Sequence, residues 1–173
     1  MNKTFSPSFH TLRWEGGIDG TLQLLDQRKL PQEKEYLTCR TVDDLVEALV
    51  SLAVRGAPAI GVAAAYGICL GMQKAADHAP ADALALLDES KAKLAASRPT
   101  AVNLFWALDR MKKAACRFFA EQHAASVPDL RRRLLEEANA ICEEDKQMCR
   151  AIGQNGLSLM PEDGGVLTHC NAG

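Results

Sequence analysis

The sequence holds no apolar run approaching the roughly 20 residues that a membrane-spanning helix needs. Its opening residues, Met1–Pro7, carry none long enough for a secretory signal peptide. It also lacks a C-x-x-C pair. The six cysteines, at positions 39, 69, 116, 142, 149 and 170, keep no metal-ligand rhythm with the four histidines. Without a secretory signal they read as reduced thiols, most of them buried as small hydrophobes. There is no charge excess either. A net charge of −2 and a pI near 6.1 give no electrostatic case for a nucleic-acid partner. Arg131, Arg132 and Arg133 are a local cluster, but on a helix they point in different directions and read as a solvated face. The expectation is a metal-free, cytoplasmic protein with neither nucleic acid nor membrane as partner.

What is present is enough chain for a core. A length of 173 residues can bury on the order of 70% of its unfolded surface, in one domain or one domain plus part of another. Leu12–Glu15, Thr21–Asp26 and Glu35–Cys39 are β-prone runs separated by the turn-rich Gly16–Gly20 and by Leu30-Pro31, which predicts a small antiparallel sheet. Helices follow. Thr41 is a candidate N-cap with Asp44 in the capping-box position, and Val42, Leu45, Val46, Leu49 and Leu52 keep the spacing of one buried face. Residues 77–82, with His78 and Pro80, read as a loop. Leu84, Leu87 and Leu94 mark a shorter helix closing near Ser97. The longest helix is expected over Pro128–Ile152, with the stripe Leu130, Leu134, Ala138, Ile141, Met148 and Ile152, and with Gly153 and Gly156 closing it. Asp145 interrupts that stripe. It is either half exposed where the stripe drifts, or it caps a neighbouring helix or lines a cleft.

The stretch Val54–Gly67, V-R-G-A-P-A-I-G-V-A-A-A-Y-G, organises the rest. Pro58 suits a first helical turn, because its φ is already helical and its missing N–H has no partner there anyway. Gly56 and Ala57 keep the approach free of bulk. Open backbone N–H groups, the positive end of the helix dipole and the full charge of Arg55 together describe an anion site, most naturally for phosphate. The same spacing also occurs in an ordinary turn into a helix. Ser97-Arg98-Pro99-Thr100 repeats the arrangement. Thr100 can cap a helix whose face carries Leu104, Leu108, Met111, Ala115 and Phe118 or Phe119, which leaves Arg98 beside free N–H groups or simply in a surface loop. Near the end, Val166–His169 is a short β-prone run, with Cys170 at its carboxyl end, where open α/β sheets place their ligand sites. A lone cysteine there can equally be structural.

Arg55-Gly56-Ala57-Pro58-Ala59-Ile60-Gly61 resembles the phosphate-binding segment of the methylthioribose-1-phosphate isomerases. These share a fold with regulatory subunits of a eukaryotic translation initiation factor and with ribose-1,5-bisphosphate isomerases. Ser97–Leu104, S-R-P-T-A-V-N-L, resembles the segment whose arginine also holds the phosphate, and Thr168–Gly173, T-H-C-N-A-G, resembles the catalytic-cysteine motif. The likeness runs from Leu12 to Gly173 but covers only the first part of such an enzyme.

The resemblance implies an α+β N-terminal domain, a small antiparallel sheet (1–40) followed by a helical bundle (41–160). Residues 161–173 would begin a truncated Rossmann-like α/β domain. It implies aldose–ketose isomerisation of 5-methylthioribose 1-phosphate in methionine salvage, with no metal or redox cofactor and a homodimeric full-length protein. Arg55, Gly56, Ala57 and Arg98 would bind the substrate phosphate. Cys170 would be catalytic, paired in the family with an aspartate of the second domain. The chain alone would be inactive and would expose apolar surface. Isomerisation of another pentose 1-phosphate, such as ribose 1,5-bisphosphate, and a non-catalytic initiation-factor-type regulatory subunit are the alternatives.

Overall fold

The computed structural model describes residues 9–75, 79–121 and 126–169. Three strands, β1 (Leu12–Glu15), β2 (Thr21–Leu25) and β3 (Tyr36–Cys39), form an antiparallel sheet in that order. The register sets Leu12 opposite Leu24 and Trp14 opposite Leu22, and on the other side Leu22 opposite Cys39. Because side chains alternate along a strand, this pairing turns Leu12, Leu22, Leu24 and Cys39 to one face, and all four are buried.

Five helices follow: α1 (Val42–Val50), α2 (Ala57–Met72), α3 (Pro80–Ser97), α4 (Val102–Glu121) and α5 (Val127–Gly156). The capping box expected at α1 is present. Thr41 Oγ1 accepts from the Asp44 N–H at 3.1 Å, and the Asp44 carboxylate accepts from the Thr41 N–H at 2.9 Å. Every residue of α2 from Ile60 to Met72 is buried. A helix apolar all round belongs inside a core, and α2 is the axle of this one. The sheet and all four other helices pack on it. Trp14 of β1 stacks on Tyr66 of α2, with centroids 5.6 Å apart. Tyr66 donates its hydroxyl proton to Asn139 Oδ1 of α5 at 2.8 Å. Gln73 Nε2, in the 3₁₀ turn that ends α2, donates to the Gly20 carbonyl at 2.7 Å.

Side-chain pairs fix the helix directions. Gly67 packs on Leu94 and Gly71 on Ser90, so α3 runs antiparallel to α2. The Lys91–Asp109 and Lys112–Asp88 pairs set α4 antiparallel to α3. Arg110 of α4 meets Glu137 and Glu144 of α5, and Ala107, Leu108 and Met111 of α4 belong to the buried core. The N-termini of α2 and α4 therefore share one end of the bundle.

Several expectations are corrected. Pro80 begins α3 instead of lying in a loop, as its fixed φ permits, and α3 is 18 residues long; of the expected loop, Asp77 and His78 lie outside the described residues. Leu52 does not continue the buried face of α1. The helix stops at Val50, and Leu52 is exposed at a φ of +63°. Gly153 does not end α5, which runs through Gly156. Met148 and Ile152 are exposed because by then α5 has outrun the helices it packs against. Arg131 is not on a solvated face. It is 5% exposed, and its guanidinium donates to the Ile18 carbonyl at 3.1 Å and pairs with Asp19. Residues 161–169 carry neither helix nor strand. A strand exists by its ladder with a neighbour, and no described strand lies beside Val166–His169, so the strand expected there is not shown.

Candidate functional site

The site is built at the end of the bundle where α2 begins. After α1 the chain turns through Ser51–Val54, and the Ala53 N–H donates back to the Ala48 carbonyl at 2.9 Å. Gln27, just beyond β2, clips the next step. Its N–H donates to the Ala53 carbonyl at 2.9 Å and its Nε2 to the Arg55 carbonyl at 3.2 Å. Sequence reasoning missed Gln27. Its role depends on two bonds to residues 26 and 28 positions away, for which no local pattern exists.

Gly56 is the N-cap of α2, with φ 93° and ψ 128°, a conformation that disfavours any residue with a Cβ. Its carbonyl accepts from the Ile60 N–H at 3.0 Å. Among the described residues no side chain caps the helix, and Pro58 in the first turn has no N–H to offer. The N–H groups of Ala57 and Ala59 have no partner among the described residues and stand at the positive end of the dipole. Arg55 is exposed, and among the described residues its guanidinium has neither hydrogen-bond nor ion-pair partner. A free cation beside uncapped N–H groups is what an anion requires.

Arg98 closes α3 at φ −142° and ψ 77°, pushed out of the helical region by Pro99, which disfavours it in the residue before. It is half-buried, and Nη1 donates to the Leu49 carbonyl in the last turn of α1 at 3.5 Å. Leu49 precedes Arg55 by one short turn, so the structure brings Arg55, Gly56, Ala57 and Arg98 to the same corner. The expected cap of α4 is corrected. The N–H groups of Leu104 and Phe105 bond to the Ala101 carbonyl, so Ala101 and not Thr100 stands at the N-cap, and Thr100 sits in the turn closed by the Ala101 N–H and the Arg98 carbonyl. The two helix starts are spaced by Gly61, whose Cα faces the Asn103 backbone.

Cys170 lies outside the described residues. Asp145 is half-buried on α5 and bonded to no other described residue. Burial pushes its carboxyl above the usual value. The reading in which it caps a neighbouring helix therefore fails. Of the other cysteines, Cys39, Cys69 and Cys142 are buried, whereas Cys116 and Cys149 are exposed. No helix among the described residues is long and apolar enough to cross a membrane.

The fold is a helical bundle opened by a small antiparallel sheet, and known proteins resemble it. Residues 53–173 match the initiation factor 2 subunit family. This chain belongs to that family. It is 49% identical over 163 residues to a methylthioribose-1-phosphate isomerase from Pelotomaculum thermopropionicum, an alignment covering 94% of this chain and 43% of the relative. It is 46% identical over 155 residues to a 5-deoxyribose 1-phosphate isomerase from Moorella thermoacetica, covering 90% and 43%.

Among solved structures, 5-methylthioribose 1-phosphate isomerase from Pyrococcus horikoshii superimposes with a TM-score of 0.84 at 32% identity, over 100% of this chain and 48% of that one. The delta subunit of translation initiation factor eIF-2B from A. fulgidus gives 0.82 at 38% identity, over 96% and 46%. The chain thus spans less than half the length of the relatives it matches.

Proposed function

We propose that this chain is the phosphate-gripping half of an aldose–ketose isomerase that converts 5-methylthioribose 1-phosphate into 5-methylthioribulose 1-phosphate in methionine salvage. The observation that carries the reading is the uncapped start of α2, with open N–H groups and an unpaired Arg55, in a chain 49% identical to a relative bearing that name. Arg55, the Gly56–Ala57 backbone and Arg98 hold the phosphate. Fixed charge and oriented donors do so without reorganising during the reaction. The substrate carries phosphate on its anomeric oxygen, so the sugar cannot open as a free aldehyde. The enzyme must assist ring opening with the phosphate attached and then move hydrogen between C2 and C1. In this reading Cys170 acts on the reacting carbons, with a proton-donating aspartate supplied by the second domain.

The domain division proposed is a sheet at 1–40, a bundle at 41–160 and the beginning of a Rossmann-like domain at 161–173. It accounts for apolar side chains left uncovered: Val102 at the start of α4 and Met148, Ile152, Leu157 and Leu159 at and beyond the end of α5 are all exposed. Single exposed hydrophobics are ordinary, whereas a contiguous set marks a covered surface. The whole protein is cytoplasmic and a homodimer in this reading, and the 173-residue chain alone is inactive.

The 5-deoxyribose 1-phosphate isomerase relative favours a second reading, the same reaction on another pentose 1-phosphate. The phosphate grip is common to both. The likeness to the eIF-2B delta subunit leaves a third, a non-catalytic subunit. An isomerase assay in the full-length context, with Cys170→Ala alongside, separates them. Turnover of methylthioribose 1-phosphate that collapses in the variant while the ligand still binds is the expected result. Turnover of ribose 1,5-bisphosphate alone supports the second reading. Binding without turnover supports the third.

A further inference from the structure

A groove lined by charged and aromatic side chains lies elsewhere on the bundle. Of about 460 Å³ and set between α4 and α5, it is lined by Trp106, Asp109, Arg110, Lys113, Arg117 and Glu137, with Ala114 as its floor. The small side chain of Ala114 leaves the space open. The charges around it are not equally engaged. Arg110 is fully committed: Nε donates to Glu137 at 2.6 Å, and Nη1 and Nη2 donate to the two Glu144 oxygens at 2.5 and 2.8 Å. Glu137 also accepts from Arg133 at 2.6 Å, and Asp109 accepts from Lys91 at 2.6 Å. The carboxylates facing the groove are thus neutralised.

Lys113 and Arg117 are not bonded to them, although the Asp109 carboxylate, one turn before Lys113, lies close enough to feel its charge. Both are exposed, and among the described residues neither has a hydrogen-bond or ion-pair partner. They stand four residues apart on one helical face, where like charges repel. Beside them Trp106, half exposed, carries the Arg110 guanidinium at 5.6 Å from its ring centroid. The three carboxylate bonds of Arg110 hold that stack in place, a cation–π contact of ordinary geometry.

We propose that this groove binds a small organic anion, a phosphate ester bearing a planar ring. The ring lies against Trp106 and the phosphate is taken by Lys113 and Arg117. A volume of this size matches sites for small ligands, and guanidinium and ammonium groups converging on one wall suit a phosphate's several oxygens. The residues are distinct from Arg55 and Arg98, so the inference stands or falls apart from the proposed isomerase.

The test is an NMR titration of the chain with phenyl phosphate, following the indole N–H of Trp106. The chain has two tryptophans, so Trp106→Phe assigns the signal and Trp14, stacked in the core, reports folding. The expected result is a saturable shift at Trp106. Lys113→Gln/Arg117→Gln weakens it by at least about tenfold, the worth of one charge-assisted contact. Arg55→Ala/Arg98→Ala leaves it unchanged, and phenol gives none. No saturable shift at millimolar phenyl phosphate would overturn the proposal. So would equal affinity in the Lys113/Arg117 variant with Trp14 undisturbed, or a shift abolished by the Arg55/Arg98 variant.

Discussion

Gly61 of α2 and Asn103 of α4 meet backbone to backbone. A Cβ placed on Gly61 would stand 2.9 Å from the Asn103 carbonyl oxygen and 3.3 Å from its carbonyl carbon. That contact sets the spacing of the two helix starts flanking Arg55 and Arg98. Gly61→Ala must push α4 away, because the obstacle is backbone and cannot rotate aside. The expected cost is about 1–3 kcal/mol of stability, the range for overpacking a close-packed interior. Denaturant unfolding measures it, and phosphate affinity should fall in the folded variant as well.

Gln27 acts on the same corner from the sheet. Gln27→Ala removes the bond to the Arg55 carbonyl but keeps the main-chain bond to Ala53. Global stability should fall by no more than about 1.5 kcal/mol. Amide exchange at Arg55–Ala57 should quicken more than exchange in the middle of α2. Equal acceleration in both places would mean that Gln27 supports the fold and not the corner.

Asp145 gives a pH prediction. Burial raises its carboxyl above the usual value, and no partner compensates. A carboxyl that binds its proton more tightly in the folded chain adds stability on acidification, and that increment is lost as pH rises past the raised value. Asp145→Asn should therefore be more stable than the parent at pH 7, by about 0.5 kcal/mol, the scale for substitutions outside the core. The advantage should vanish near pH 3. Thermal unfolding at the two pH values measures it.

The thiols divide by exposure. Burial pushes Cys39 and Cys69 up to about 12, and the thiolate is the form that reacts. Under native conditions at pH 8, iodoacetamide should label Cys116 and Cys149 and spare Cys39 and Cys69. Peptide mapping by mass spectrometry reads the pattern, and denaturant should abolish the protection.

Much of this fold is legible where a local rule decides it. The capping box at Thr41 and Asp44 and the strands around Leu22 and Leu24 follow from short-range chemistry. Pro58 likewise announces α2, whose small apolar residues announce its burial. The failures share a cause, which is that a distant neighbour decides. Arg131 is buried because the Ile18 carbonyl and Asp19 meet it from the turn after β1. Leu52 is exposed because the chain must turn toward Gln27. Gly153 stays helical because α5 continues past its neighbours, where nothing interrupts it. Val166–His169 has β-prone residues but no strand beside it among the described residues. In the candidate site the positive charges and Gly56 are visible in the sequence, whereas the Gln27 clip and the Arg98–Leu49 bond are not.

The measurement closest to the central claim is a calorimetric titration of 5-methylthioribose 1-phosphate into the protein and into Arg55→Ala/Arg98→Ala. Both arginines lie at the surface end of the bundle, so the variant should fold, with Arg98→Ala losing only its bond to the Leu49 carbonyl. The account predicts binding that weakens by about a hundredfold, two charge-assisted contacts at roughly 1.4 kcal/mol each. Equal affinity in the folded variant would contradict it, because the phosphate would then be held somewhere other than the start of α2.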